Sequence, residues 1–471
     1  MRKIFLIAVL FSAILFSCRK SDENLDISMD DYPVDIPATS SALDAWLKDS
    51  FNIPWNINVE YRFDRYESEY PRNIAPIDLV KVKPSMEAIL KVFMAPYTNV
   101  TGSTVFGKKY FPKQWVLYGS GSYNTDNTYI LGTASNGVRV NLYDLNNFSV
   151  TDGENVRRRM RTVHHEFTHV LNQTIPVTNA YELISQDSYD PDWAGMTEDS
   201  ARSRGFISPY ASSEPMEDFA EMVAHIVVQG PVWYKNYLAI ASESGKSRLK
   251  QKESIVYEYL KNNFNVDLYQ LQTEVQNALK TNYGVTDPAD LTLSMPYRLN
   301  NVATLFQISM TLNSSYYTTY GTSASYYTML NSYIKAVEAA QSYGYTIKSI
   351  YIVFNSRIDM FTLQVGFGTP TGTTYWAYYD MNIKVNPVTG ATVFTKSLPE
   401  GTAATSVYYT YGQYTYMLKP FESYLLPYFT NREFVAAYLP STVPAASTRT
   451  YGGFYVKTDP TNFFYGIITS L

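Results

Sequence analysis

The stretch Val156 to Gln173 reads VRRRMRTVHHEFTHVLNQ and holds His165, Glu166 and His169 in the order H-E-x-x-H. Val156, Met160, Val163, Phe167, Val170 and Leu171 recur every three or four positions, the apolar stripe of an amphipathic helix, and no Gly or Pro interrupts them. Asp152 just upstream is a suitable cap. On such a helix His165 and His169 lie one turn apart on one face, so their rings can grip a single cation, with Glu166 beside the ion rather than on it. The chain has 4 His, three of them at positions 164, 165 and 169, which makes a chance surface cluster the poorer reading. His164 points about 100° away from His165 around the helix axis and is read as supporting the site from behind its ligands, or as solvated.

Such a pair implies metal-assisted hydrolysis. Zinc held by three protein groups keeps a fourth position for water, whose pKa falls to about 7, and an adjacent carboxylate can take the proton as that water attacks. Two histidines leave the site one ligand short. The missing donor is expected in SPYASSEPMEDFAEMVAHIV, Ser208 to Val227. Pro215 suits the first turn of a helix, which places Glu217 and Glu221 one turn apart on one face. Glu217 would complete the metal set. Glu221 would accept the Nδ1 proton of a ligand histidine, His165, and fix its tautomer. A carboxylate in a first turn is also what the helix dipole favours, but a metal lacking one ligand favours coordination. His225, one turn further on, is read as a buried or capping histidine.

H-E-F-T-H followed some fifty residues later by Y-x6-E-D-F-A-E resembles the gluzincin metallopeptidases, in particular the branch that contains the anthrax lethal factor catalytic domain. By motif position the resemblance implies zinc bound by His165, His169 and Glu217, Glu166 as general base, and Tyr210 as oxyanion stabiliser. A phenol aimed at the developing oxyanion gives a hydrogen bond that strengthens in the transition state. The same motifs, with Lys252 to Leu260 (K-x-x-I-V-x-x-Y-L), also resemble the zinc metallohydrolase lipoproteins associated with substrate import in Bacteroidetes-type bacteria. That narrower resemblance implies a peptide or protein substrate and a neighbouring TonB-dependent importer with its lid lipoprotein.

The start of the chain fits export. Arg2 and Lys3 precede an apolar run from Ile4 to Phe16, too short for a membrane span, and then Ser17 and Cys18. Cys18, the sole cysteine, follows Leu15-Phe16-Ser17 in a pattern that resembles a bacterial lipobox, with Phe16 in place of the usual small residue. This implies a signal peptide over 1–17, lipidation of Cys18 and an outer-membrane, cell-surface lipoprotein; a cleaved secretory peptide with an incidental cysteine is the alternative. One cysteine allows no internal disulfide. Lys20, Asp22 and Glu23 resemble lipoprotein surface-export signals, and the acidic, Ser- and Pro-punctuated residues 18–42 read as a flexible tether.

With 471 residues, 45% of them hydrophobic, the chain can bury more than one core, and a net charge of -5 without a basic cluster beyond Arg157 to Arg161 argues against nucleic acid as a partner. The expected fold class is α+β: a zincin-like domain over 43–286, then a separate α+β domain with an antiparallel sheet over 292–471, the boundary falling in Gly284 to Asp290. In the first domain a helix is expected at Ala42 to Asp49 and another from Pro84, with Pro84 in its first turn. Strands are expected near Trp115 to Tyr118, Thr128 to Leu131 and Val138 to Tyr143, the last as the edge strand that receives substrate by strand addition. In the second, Phe361, Leu363, Val365 and Phe367 alternate as a strand, Tyr326 to Val337 forms a helical stripe, and a helix is expected over Met417 to Phe429. The closing Tyr451 to Leu471 resembles an uncharacterised domain found as a stand-alone lipoprotein. The expected function is a zinc metallopeptidase supporting nutrient import; the alternative is an inactive zincin-fold lipoprotein that binds substrate or scaffolds an import complex.

Overall fold

The computed structural model describes residues 41–64, 67, 73–123, 129–135, 137–300, 306–354, 359–401 and 406–470. The signal peptide, Cys18 and all but the last two positions of the tether lie outside the described residues. The chain falls into two compact units, residues up to 86 with 107–147, and residues 87–106 with 148 onward.

In the first unit Ser41 opens the helix Ala42–Leu47 with a capping box: its hydroxyl accepts the Asp44 N–H and the Asp44 carboxylate accepts the Ser41 N–H. The strands are β1 (Asn58–Glu60), β2 (Gln114–Leu117), a short ribbon of β3 (Ser122–Tyr123) and β4 (Tyr129–Ile130), β5 (Gly132–Ser135) and β6 (Arg139–Leu142). The sheet order is β1-β2-β6-β5, parallel except for the last pair. The segment expected at the substrate edge, Val138 to Tyr143, is therefore internal, because β6 pairs with β2 on one side and β5 on the other. Val140, Asn141 and Leu142 are all buried, as a strand covered on both faces must be, and the outer strand is the small-residue β5.

Pro84 also departs from expectation. The helix begins at Leu79, so Pro84 lies inside it rather than in its first turn. Val82, Met86 and Ile89 continue one buried stripe across the proline, and burial of the turn before it offsets the lost hydrogen bond.

The second unit contains both motif helices. The histidine helix, Gly153–Thr174, is capped by Asp152, which accepts the N–H groups of Glu154 and Asn155 at 3.0 and 3.2 Å. The glutamate helix, Pro215–Gln229, has Pro in its first turn and packs against the histidine helix. Behind them stand Glu243–Phe264, capped by Ser242, and Leu268–Tyr283, capped by Asp267. The expected boundary at Gly284 to Asp290 falls within this unit, between Leu268–Tyr283 and the short helix Met295–Leu299.

Beyond it the antiparallel sheet closes on itself. Its strands are β7 (Phe306–Thr311), β8 (Thr346–Phe354), β9 (Met360–Gly368), β10 (Tyr375–Val385), β11 (Ala391–Lys396), β12 (Phe434–Ala437), β13 (Tyr451–Val456) and β14 (Asp459–Ser470), joined as β10-β11-β12-β13-β14-β7-β8-β9. Phe361, Leu363, Val365 and Phe367 share the buried face of β9 with its period of two. The helix Ala324–Ala339 adds Tyr326, Leu330, Tyr333 and Val337 to the same hydrophobic cluster. The expected second helix runs Thr415–Thr430 in three pieces, with a wider turn at Phe421–Leu425 between Pro420 and Pro427. A Cβ at Gly453 would run into the Phe464 carbonyl, so only glycine lets β13 lie this close to β14. The class is mixed α+β, a largely helical portion and an eight-stranded antiparallel barrel among the described residues.

Candidate metal centre

The apolar stripe of the histidine helix is buried throughout, with Val156, Met160, Val163, Phe167 and Leu171 inaccessible to solvent. That anchoring aims the opposite face, and the His165 and His169 Nε2 atoms come to 3.1 Å from each other. From the glutamate helix, Glu217 Oε2 lies 2.9 Å from His165 Nε2 and 3.4 Å from His169 Nε2. Neighbouring corners of a zinc tetrahedron with bonds of ~2.0–2.1 Å are about 3.3–3.4 Å apart, so these three atoms are spaced as three corners around one ion. Glu217 Oε2 is enclosed and has no hydrogen-bond donor assigned to it among the described residues, as expected of an atom whose proper partner is a cation. No other group of three such side chains is found among the described residues.

The structure brings Glu221 to the other nitrogen of the first ligand, with Oε1 2.9 Å from His165 Nδ1. A proton held there leaves the Nε2 lone pair free for a metal. Ser208, which sequence reasoning passed over, donates its hydroxyl to Glu221 Oε2 at 2.6 Å and accepts the Ala211 N–H at 3.1 Å. One buried hydroxyl thus ties the carboxylate behind the ligand to the turn Tyr210–Ser212. Tyr210 starts that turn, its ring 6.0 Å from the His165 ring and 4.9 Å from that of Trp193.

The electrostatics follow from burial and these pairings. Burial opposes a charge on His165, but Glu217 and Glu221 outweigh it and hold the ring well above the ordinary histidine value. Burial likewise pushes the two carboxylates up, yet facing imidazoles leave both below their usual range: His165 and His169 for Glu217, His225 and His165 for Glu221. Burial and the facing Glu217 carboxylate raise the Tyr210 phenol, which stays protonated. Glu166 is 6% exposed, its carboxylate has no hydrogen bond among the described residues, and burial raises its pKa despite the two imidazoles.

A buried ion pair fixes the glutamate helix next to its ligand. Asp218 Oδ2 lies 2.6 Å from Lys252 Nζ, both side chains wholly buried; Lys252 also donates to the Gly205 carbonyl at 2.8 Å, and the Tyr189 hydroxyl donates to Asp218 at 2.9 Å. Burial raises the pKa of the acid and lowers that of the base, so each charge depends on the other. A lysine in a polar helical segment reads as solvated, and only the tertiary fold exposes this role.

His164 is neither solvated nor part of the site. It is fully buried, stacked on Tyr97 at 5.7 Å and edge-on to Phe93 at 5.4 Å, with Nε2 3.3 Å from the Val92 carbonyl, and burial lowers its pKa to about 4. His225 is buried against Trp233 with Nδ1 3.0 Å from the Glu221 carbonyl, and is likewise lowered to about 4 by burial. Arg157 pairs with Glu154 at 2.8 Å and donates to the Thr286 carbonyl at 3.0 Å.

Residues 36–269 match the model of a family described as "Putative zinc-binding metallo-peptidase". A protein from Bacteroides caccae, whose crystal structure is described in the same words, is 30% identical over 51% of this chain and 93% of its own, with a TM-score of 0.44. No curated protein matches. The matched segment contains His165, His169 and Glu217 and ends before the barrel strands begin. Through that segment the chain belongs to the family described as "Putative zinc-binding metallo-peptidase".

Proposed function

We propose that the protein is a zinc-dependent peptidase of the gluzincin type, in which His165, His169 and Glu217 hold the ion. Zinc bound there supplies Lewis acidity, polarising a carbonyl oxygen and acidifying a water. Glu166 takes the proton from the attacking water and passes it to the leaving amine, a role suited to a buried carboxylate with a raised pKa and no competing donor. Tyr210, kept protonated, donates to the oxyanion as it forms. Glu221 and Ser208 hold His165 in the tautomer that leaves Nε2 free.

The observation that carries this reading is the convergence of three lone-pair atoms within 3.4 Å of one another, while the buried Glu166, one residue from a ligand, has no hydrogen bond among the described residues. It also favours an active enzyme over an inactive binding or scaffold lipoprotein, which needs no unbonded buried carboxylate. The proposal extends to location: Cys18 carries the lipid, the outer membrane is the anchor, the cell surface the working face, and peptides are cut to supply a TonB-dependent importer and its lid lipoprotein. The test compares wild type with Glu166→Gln for zinc content and for cleavage of a proteome-derived peptide library. Equal zinc with cleavage lost is expected; cleavage by neither protein overturns the enzyme reading.

A further inference from the structure

Five of the ten residues from Val407 to Tyr416 are tyrosines, and the barrel sorts them. Tyr409 turns to Asp380, donating its hydroxyl at 3.0 Å. Tyr408 packs on Tyr378 at 4.9 Å, and the other three join Tyr345, just before β8, and Tyr375 of β10 in a closed circuit of rings: Tyr411 to Tyr414 at 5.7 Å, Tyr414 to Tyr416 at 5.5 Å, Tyr416 to Tyr345 at 6.3 Å, Tyr345 to Tyr375 at 5.8 Å, and Tyr375 back to Tyr411 at 6.1 Å. Phe367 floors the circuit, within 5.6–6.2 Å of three members. Tyr343 extends it outward, 5.4 Å from Tyr345. The outer rings are open to solvent: Tyr343 is 64%, Tyr414 41% and Tyr375 38% exposed.

The chemistry of this rosette is neutral. Burial and neighbouring tyrosines, with no acid or base among the leading causes, push the Tyr416 phenol up to about 12. Among the described residues no side-chain acid or base is hydrogen-bonded to a ring of the circuit, which gives an anionic or cationic ligand no counter-charge. An extended peptide adds to a sheet through a free edge, and the barrel around the rosette is closed. Two buried tyrosines of the barrel spend their hydroxyls on internal acceptors, Tyr465 on the Gly321 carbonyl at 2.8 Å and Tyr428 on Asn462 at 2.6 Å. Tyr375 shares a side-chain hydrogen bond with Tyr345, while the hydroxyls of Tyr343 and Tyr414, the two most exposed members, have no partner among the described residues. A broad set of aromatic faces rimmed by free hydroxyls and lacking charge matches the C–H faces and hydroxyls of a sugar.

We infer that the tyrosine rosette on the barrel binds a neutral oligosaccharide. The test runs the full chain, without its leader, in native gels cast with soluble galactomannan, xylan or mixed-linkage glucan. Any retarding polysaccharide is followed by calorimetry with its oligosaccharides. The variant is Tyr343→Ala with Tyr414→Ala, both well exposed, and the control is Tyr424→Ala, exposed but outside the circuit. Retardation by at least one polysaccharide is expected, with affinity weakened about tenfold or more in the double variant, the scale of two lost ring contacts, and unchanged in the control. Thermal unfolding of all three proteins should coincide. The inference is overturned if none of the three retards the wild type, if the double variant is retarded equally, or if the rosette binds a proline-rich peptide and no saccharide.

Discussion

The helical portion and the barrel bury polar groups by opposite rules. Between residues 153 and 264 the interior holds formal charges in pairs, Lys252 with Asp218 and His165 with Glu221. In the barrel the buried polar groups are mostly neutral hydroxyls given to oxygen acceptors, such as Tyr379 to the Gly412 carbonyl at 3.3 Å. Even Asp380, 5% exposed, is met by Thr362, Tyr409 and the Gly401 N–H. Paired charges hold atoms in a fixed place at a desolvation cost, which suits a site that must aim three ligands. Hydroxyl-to-oxygen bonds close an apolar core without that cost.

The contrast is broken or sharpened most strongly by a matched pair of core substitutions. Lys252→Met strands the Asp218 carboxylate in the core and should cost about 3–5 kcal/mol, with much of that recovered by adding Asp218→Leu. Phe361→Ala in the barrel should cost a similar ~3–5 kcal/mol through its cavity. Denaturant titration measures both, and zinc affinity separates them: Lys252→Met weakens it by moving the Glu217 turn, whereas Phe361→Ala leaves it alone. Next in size is Tyr210→Phe, expected to lower kcat about 100-fold with zinc affinity unchanged, the scale of one lost oxyanion donor. Ser208→Ala should weaken zinc about tenfold by loosening Glu221, with Ser208→Thr recovering most of it.

A pH dependence confined to one side of the comparison sharpens it further. All 4 His precede residue 226, so the barrel has none. His164 and His225 are held neutral, each lowered to about 4. In the unfolded chain they take up protons below about pH 6.5. The unfolded state then binds more protons than the folded one, so stability falls as pH drops from about 6.5 toward 4. Hydrogen exchange should show the helices 153–229 losing protection over that window before the barrel strands do.

Much of the helical portion was legible in the chain. The stripe from Val156 to Leu171, the Asp152 cap and Pro215 each act within a few residues of themselves, and the structure forms both helices where they were expected. The offsets between Tyr210, Glu217 and Glu221 likewise mark one surface. What escaped was decided by contacts between distant segments. Nothing local distinguishes Lys252 from a solvated lysine, or shows that His164 is buried against Tyr97 and Phe93, until the partner elements are in place. Strand order is equally non-local: β6 lies within the expected Val138 to Tyr143, but the small-residue strand β5, which no expectation covered, pairs with it and takes the outer place. The closing strands β11 and β12 are short and joined through a long helical excursion, so the barrel read only as a sheet.

The central claim is that one zinc ion is held by two imidazoles of one helix and a carboxylate of another. Metal analysis with competitive zinc titration of wild type and Glu217→Ala tests it directly. The account predicts one zinc per chain in the wild type and a severe loss of affinity in the variant, with the fold retained. Zinc held equally tightly by Glu217→Ala would contradict it.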